Sequence, residues 1–517
     1  MSLKTAQQLN YSKPLDVHTW SDYAEVNQFV NTLWDQFLAE QYLDRVGRGK
    51  RPLTSVKQQF KVLLLDLYVT WKTDSDLVIG VAMSNSAYQT SSRYNALHIS
   101  PIMIDLVNSL VEMGLIEKHV GSELSGITTR IWTTPKLIQY FKGVQFSRLQ
   151  INTHQDQEVI ILNKGDFESV DEETGEINTV TRQSKPVEYK DEDFEDIPKM
   201  RKEINRYNEL LRTSFIDIGH LELPYVVQEF WNRKKSRWEN RRVQVSHHNK
   251  FVRRIFYRGS WNLGGRIHGG FWQQIKEERI NILINDFRTV EQDYSGLHIN
   301  LAYGLEGLDP LEDDPYLLDP LFNVTTQEQR EWVKVLSLMI INATDEISGI
   351  RAFRAAQPTG SISKRFTNNQ IKLLIDAFKE KHHQIKDYIC SDKGVFFMNL
   401  DGKITSKVIN HFTDKGEPIL SIHDSYICRE QFKDELNTVM NEAINELLGG
   451  YRIKIKANKE IEDISSLTDK GIINVSKMKE QYLNRPKDLK RCEGYEARWD
   501  HHKEWLHTID NPIYFRI

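Results

Sequence analysis

Apolar and polar positions follow two different rhythms along this chain, and the change between them organises the prediction. Up to about residue 150 the apolar residues recur mostly at helical spacing. The informative stretch is SSRYNALHISPIMIDLVNSLVEMGLIEKHVGSELSGITTRIWTTPKLIQYF. Ser100-Pro101 reads as a helix start, with Ser as cap and Pro at the first helical position. Ile104, Val107, Leu110 and Val111 make one apolar stripe, and Gly114 stops it. Two strand-like runs follow, LIEKHV and TTRIWTT, separated by a Gly-rich turn. Residues 151–196 then become polar and acidic with few apolar anchors, which predicts a linker or exposed hairpin at a domain boundary. The D-x-E pairs Asp166/Glu168 and Asp193/Glu195 lie inside that acidic run, where chance alone produces them, and they carry no weight.

From about residue 197 helical patterns (MRKEINRYNELLRTSF, QREWVKVLSLMIINA, NNQIKLLIDAFKEKHHQIKDYI, FKDELNTVMNEAINELL) alternate with short strands (TVEQD, EPILSIH, SYICRE). The predicted class is α+β. Residues 1–150, a helix followed by a two-stranded wing, resemble a winged-helix module, a type that binds DNA or serves as a protein adaptor. A protein partner for this unit is therefore a further expectation.

With 517 residues, two to four domains are expected. The 39% hydrophobic and 27% charged residues are ordinary for a soluble protein, and no apolar run approaches the ~18 residues needed to span a bilayer. The opening MSLKTAQQLNYSKPLDVHTW has no apolar signal core, and Cys390, Cys428 and Cys492 lack any CxxC spacing. These features predict a cytoplasmic protein without disulfide framework, zinc module or membrane partner. There is no internal repeat and no Walker-type loop, which disfavours a P-loop ATPase.

The net charge of −4 does not advertise nucleic-acid binding, but the charge is unevenly spread. Residues 232–258 hold ten Lys/Arg against one Glu, with Trp231, Trp238, Phe251, Phe256 and Tyr257 interleaved or adjacent. Such a segment either contacts phosphates and stacks bases or forms a solvated charged surface.

Three segments carry candidate chemistry. In EQDYSGLHINLAYG, Asp293 ends a strand-like alternation before Ser295-Gly296 opens a helix, so it reads as a helix N-cap or as a carboxylate at a sheet edge within reach of a metal. In EPILSIHDSYICRE, two apolar strands hinge at His423-Asp424-Ser425, which presents Asp424 at a hairpin tip, as an ordinary turn residue or as a partner of Asp293. Two carboxylates on adjacent strand ends suit a pair of Mg²⁺ ions that activate a hydroxyl and neutralise a leaving phosphate. In TTQEQREWVKVLSLMIINA, Thr325 and Glu328 form a capping box. Arg330, Lys334, Leu338 and Asn342 share one helix face opposite Val333, Leu336, Ile340 and Ala343. The first face is a solvated helix surface or a clamp for a triphosphate with cover for a base.

In this order the segments resemble the polymerase A superfamily of DNA polymerase I-like enzymes and single-subunit phage-type RNA polymerases. DYSGLHINLA is similar to motif A, Arg330/Lys334 to the R-x-x-x-K of motif B, and HDSY to motif C. NLGGRIHGGFWQQI resembles the segment that approaches the primer-template. The resemblance implies a right-hand polymerase core, with an antiparallel palm sheet and helical fingers and thumb, behind the winged-helix-like unit. Residues 197–290 would form a thumb-like, primer-template-contacting region, and residues 291–517 a palm, short fingers and a C-terminal extension. It implies templated nucleotidyl transfer by Asp293, Asp424 and Lys334, with two Mg²⁺ (or Mn²⁺) on Asp293, Asp424 and the Tyr294 carbonyl. Nucleotide would meet Arg330, Lys334, Leu338, Asn342 and His298, and primer-template would meet Arg266, Gln274, His423 and Ser425. The implied partners are a primed DNA template and dNTPs, without a proofreading exonuclease.

The chain departs from the family at Leu338 and at Asn342-Ala343, where an aromatic or Met and a Tyr-Gly usually stand. His298 lies where the sugar's 2′ carbon would sit, and its bulk favours deoxynucleotides. Ser425 and Asn342 lean toward the RNA polymerase branch, so a single-subunit RNA polymerase or primase using NTPs stays open. So does a catalytically inactive DNA-binding replication initiator or regulator.

Overall fold

The computed structural model describes residues 4–43, 53–121, 128–165, 185–232, 237–322, 324–358, 360–457 and 491–509. Its architecture is a mixture of helices and mainly antiparallel sheets, α+β. Buried apolar side chains gather in two large clusters, one drawn from Val26 to Ile151 and the other from Val159 to Ile453.

The first cluster is built by β1 (Ser12–Pro14), α1 (Ala24–Phe37), α2 (Leu53–Thr73), β2 (Val78–Val81), α3 (Ile102–Glu112), β3 (Ile116–His119), β4 (Thr129–Thr133) and α4 (Pro135–Lys142). α2 is apolar around most of its circumference from Phe60 to Val69, and it runs through the middle of the core. Its two buried charges are held locally: Lys61 donates to the Ser21 carbonyl at 2.6 Å and to Asn27 at 2.7 Å, and Asp66 pairs with Lys13. α3 closes as predicted, through the bonds Gly114 N–H to Val111 and Leu115 N–H to Leu110, the latter 2.9 Å. The expected two-stranded wing is larger than its sequence suggested. β3 and β4 pair, but β2 and β1 extend them into a four-stranded sheet of order β1-β2-β4-β3.

The second cluster begins inside the segment expected to be a linker. β5 (Ile160–Leu162) is inserted parallel to a later strand, and Val159, Ile160 and Tyr189 are buried. Residues 166–184, with Asp166 and Glu168, lie outside the described residues. A polar ion network fastens this region to the first unit. Arg93 donates to Asp191 at 2.9 Å and lies over the Tyr189 ring at 3.6 Å, while Arg201 bridges Asp191 (2.7 Å) and Glu158 (3.0 Å).

There follow α5 (Ile197–Thr213), β6 (Ile216–Ile218), the hairpin β7 (Tyr225–Asn232) and β8 (Arg237–Gln244), then β9 (Val252–Tyr257) and β10 (Ser260–Gly269). The basic run is not one solvated face. Lys250 is buried and donates to the Ser214 carbonyl at 2.7 Å, Arg254 is buried and donates to Gly265 at 2.9 Å, and Arg258 pairs with Asp392. Arg242 lies over the rings of Tyr11 and Tyr225.

The sheet that carries the candidate site runs β13-β14-β12-β11-β6, with β15 on the far part of β12, and every pairing is antiparallel. Its strands are β11 (Ile282–Ile284), β12 (Phe287–Tyr294), β13 (Leu420–Ile422), β14 (Ser425–Arg429) and β15 (Ile455–Ala457). Helices α6 (Leu297–Leu305), α7 (Thr326–Asn342), α8 (Glu346–Ala356), α9 (Asn368–Lys381), α10 (Gly394–Asp414), α11 (Lys433–Leu448) and α12 (Glu493–Leu506) complete the unit. α10 packs along β10 because Gly402 lacks a side chain: a Cβ there would collide with the Gly265 carbonyl. Among the described residues no helix is long and apolar enough to cross a membrane.

Candidate active site

β12 alternates as its sequence predicts: Val290, Gln292 and Tyr294 are buried, which leaves Glu291 and Asp293 together on the other face. Asp293 is therefore not the cap of the next helix. That position belongs to Gly296, at φ +60°, a left-handed conformation that glycine adopts without steric penalty. On the neighbouring strand Ser425 pairs with Asp293, and the Tyr294 N–H donates to the Asp424 carbonyl at 3.2 Å. His423 takes φ +56° in the turn between β13 and β14 and so lets Asp424 stand at the tip. The two carboxylates are thus brought to adjacent strand ends.

Their electrostatics bear out the proximity. Burial, then the charges of Asp424 and Glu291, push the Asp293 carboxyl well above the usual range, against the pull of Lys334 and Lys456. Burial and the charge of Asp401 push Asp424 upward, and Arg266 and Lys334 oppose that shift. Excess negative charge at a half-buried point is the condition a cation relieves, and hard oxygen donors match Mg²⁺ or Mn²⁺. The donors are a pair: among the described residues no group of three or more His, Cys, Asp or Glu converges as a ready-made metal centre.

α7 begins with the predicted capping box, Thr325 with Glu328, and buries Val333, Leu336 and Ile340. On the opposite face Lys334 is exposed and has no ion-pair partner among the described residues. Leu338 is 46% exposed. The other two members of this face are engaged. Arg330 donates to Asp314 Oδ2 through Nε (2.8 Å) and Nη2 (2.6 Å), and Asn342 donates to the Leu338 carbonyl at 2.7 Å with its Oδ1 against Gly394.

The residues expected to meet primer and sugar divide in the same way. Gln274 is exposed. His423 is half-buried, with its ring 5.6 Å from that of His268. Arg266 instead turns inward, pairing with the buried Asp401 and donating to His298 Nε2 at 3.0 Å. His298 stacks on Phe397 at 5.5 Å, and burial pushes its imidazole down to about 3, so the ring is neutral. Ser425 is buried, and its hydroxyl donates to Glu291 at 2.8 Å. The Tyr294 side chain is buried too, donating to the Met440 carbonyl at 2.6 Å.

Four residues at this site escaped the sequence reading. Glu291 was detectable, because it precedes Asp293 by two in an alternating strand. Asp401 was hidden in α10, whose apolar residues surround it on most sides. Asp314 and Tyr316 lie in a polar loop without periodicity.

No protein-family model matches the chain, and no curated protein matches it. Among solved structures, the POL domain of Pol1 from M. smegmatis, in complex with DNA primer-template and dNTP, is similar to 40% of this chain at 12% identity and a TM-score of 0.28. The match spans 46% of that chain.

Proposed function

We propose that the protein is a template-directed nucleotidyltransferase, a compact family A-like DNA polymerase that extends a 3′-hydroxyl with dNTPs. The observation that carries this reading is the pair Asp293 and Asp424 on adjacent strand ends, with the unpaired Lys334 ammonium acting on both carboxylates. Asp293 and Asp424, with the Tyr294 carbonyl, would hold two Mg²⁺ (or Mn²⁺), which when bound neutralise phosphate charge and make the primer hydroxyl a better nucleophile. Lys334 binds the triphosphate and hands a proton to the departing pyrophosphate. Arg330 holds the far end of the triphosphate, His298 stands against the sugar, and His423 steadies the primer end. Arg266 acts on the sugar through His298. The N-terminal unit, read as winged-helix-like, and Gln274 contact the duplex.

A second reading, an RNA polymerase or primase using NTPs, is favoured by one observation. Arg266 can only donate, so His298 Nε2 must accept, and the ring proton sits on Nδ1, which has no hydrogen-bond partner among the described residues. A donor at that place suits a 2′-hydroxyl.

The test is run-off synthesis on primed and unprimed templates with Mg²⁺ and either dNTPs or NTPs, beside Asp424→Ala. Extension by wild type alone, on primed template with dNTPs, supports the first reading. A preference for NTPs supports the second, and equal failure of wild type and variant under all conditions removes both.

A further inference from the structure

The segment between α6 and α7 crosses the candidate site as a strap. Its backbone is held from outside: Lys381 donates to the carbonyls of Asp314 (2.8 Å) and Leu317 (2.5 Å), and His382 Nε2 meets the Pro315 carbonyl at 2.9 Å. Gln329 donates to the Asp319 carbonyl at 2.8 Å and accepts from the Leu321 N–H at 2.8 Å. Two side chains of this anchored strap point into the site. Asp314 occupies Arg330, and its Oδ1 accepts the Tyr316 N–H at 2.9 Å. Tyr316 lies with its ring 5.6 Å from the Arg330 guanidinium. Its hydroxyl reaches the Asp293–Gly296 turn, 3.4 Å from where a Cβ on Gly296 would be. The strap therefore spans from the cationic face of α7 to the two carboxylates.

Resting on the nucleotidyl-transfer reading, we propose that Asp314 is an internal competing anion that holds Arg330 until the phosphate of a bound nucleotide displaces it. Two guanidinium N–H groups converge on Asp314 Oδ2 and Nη1 donates to the more exposed Glu331 at 3.2 Å, so a phosphate that takes Arg330 must displace the Asp314 pair. A triphosphate does so because it also engages Lys334, four residues along the same face. Every phosphate ligand that takes Arg330 loses the same factor of affinity to Asp314. Release needs only a side-chain rotation, because Lys381, His382 and Gln329 hold the strap by its main chain. The hold on released pyrophosphate through Arg330 is thereby weakened together with that on the incoming triphosphate.

The experiment titrates the full chain, in Mg²⁺, with inorganic tripolyphosphate and with pyrophosphate, using wild type, Asp314→Ala, Asp314→Asn, Arg330→Ala and the Asp314→Ala/Arg330→Ala pair. Primer extension then gives the KM for dNTP and the inhibition constant for pyrophosphate. Removing the Asp314 charge is expected to tighten tripolyphosphate about tenfold, the size of one charge-assisted hydrogen bond, and pyrophosphate by as much or less. The dNTP KM falls, kcat does not rise, and the effect vanishes in the Arg330→Ala background. Unchanged affinities and unchanged pyrophosphate inhibition in Asp314→Asn overturn the proposal, as does a gain that persists without Arg330. Asp314→Asn keeps the shape of the side chain if Asp314→Ala does not fold. If the variants tighten anion binding but no primer is extended, the gate stands and the polymerase reading falls. If primers are extended with unaltered constants, the reverse holds.

Discussion

Arg266 is paired with Asp401 in the interior, and the same guanidinium donates to His298 at 3.0 Å. Asp401 has no exposed surface, so this pair is an internal one, and in place of the duplex contact expected of it Arg266 holds the His298 ring. Arg266→Ala leaves a buried carboxylate without its partner. It is expected to lower stability by about 3–5 kcal/mol. Replacing both residues together, Arg266→Met with Asp401→Leu, should recover most of that loss in urea unfolding. If the single and double variants unfold at the same midpoint, the pair is not what stabilises this region.

On the proposed reading, the repulsion between Asp293 and Asp424 would make a divalent cation a stabilising ligand. Mg²⁺ at about 100 times its dissociation constant should raise the unfolding free energy by about 2.7 kcal/mol. Asp293→Asn and Asp424→Asn should lose this response, and nucleotidyl transfer should fall on the order of 10³-fold or more. Thermal melting with and without chelator checks the first expectation, and single-turnover extension checks the second.

His298→Gly removes the ring from its shelf on Phe397. On the steric reading, the ratio of ribonucleotide to deoxyribonucleotide incorporation rises on the order of 10- to 100-fold, the range that pocket shape alone supplies. Competition assays with matched NTP and dNTP read this ratio directly. A fall in the ratio would identify His298 as a donor to the 2′-hydroxyl.

The ion network that fastens the N-terminal unit should fail in acid. The Arg201 hydrogen bonds, with those of Arg93, outweigh burial and hold the Asp191 carboxyl down at about 2. The unfolded chain titrates near the ordinary value of about 3.9, so the unfolded state takes up the proton first as pH falls. The stabilisation is fully present above that value and is lost as pH drops through about 2. Asp191→Asn should therefore show a shallower decline in urea midpoint between pH 5 and pH 2 than wild type. The gap will be modest, because Asp191 is partly exposed.

The parts of the site that were legible are those where one strand or helix turn carries both pattern and chemistry. TVEQD alternates, so the face of Asp293 followed directly, and the Thr325/Glu328 box fixed where α7 begins and hence which side Arg330 and Lys334 share. What stayed hidden depends on contacts between distant segments. α10 has no clear polar side, because β10, α5, α6 and α11 surround it, so the 3.6-residue rhythm that would have announced it is absent. β5 sits in an acidic stretch whose composition masks its buried Ile160 and Leu162. The basic run misled because charge in a sequence does not distinguish a solvated cation from Lys250 or Arg254, each buried against backbone carbonyls. The partner of Arg330, sixteen residues earlier in an unpatterned loop, had no sequence signal.

The contact between Gly402 and Gly265 sets the gap between α10 and β10. α10 carries Phe397 and Asp401, and β10 carries Arg266, so the shelf, the counter-charge and the guanidinium around His298 are all mounted on the two sides of that gap. On the proposed reading, sugar discrimination would thus depend on an interval between two elements as well as on the His298 side chain, and a single methyl group added at position 402 would retune it from a distance.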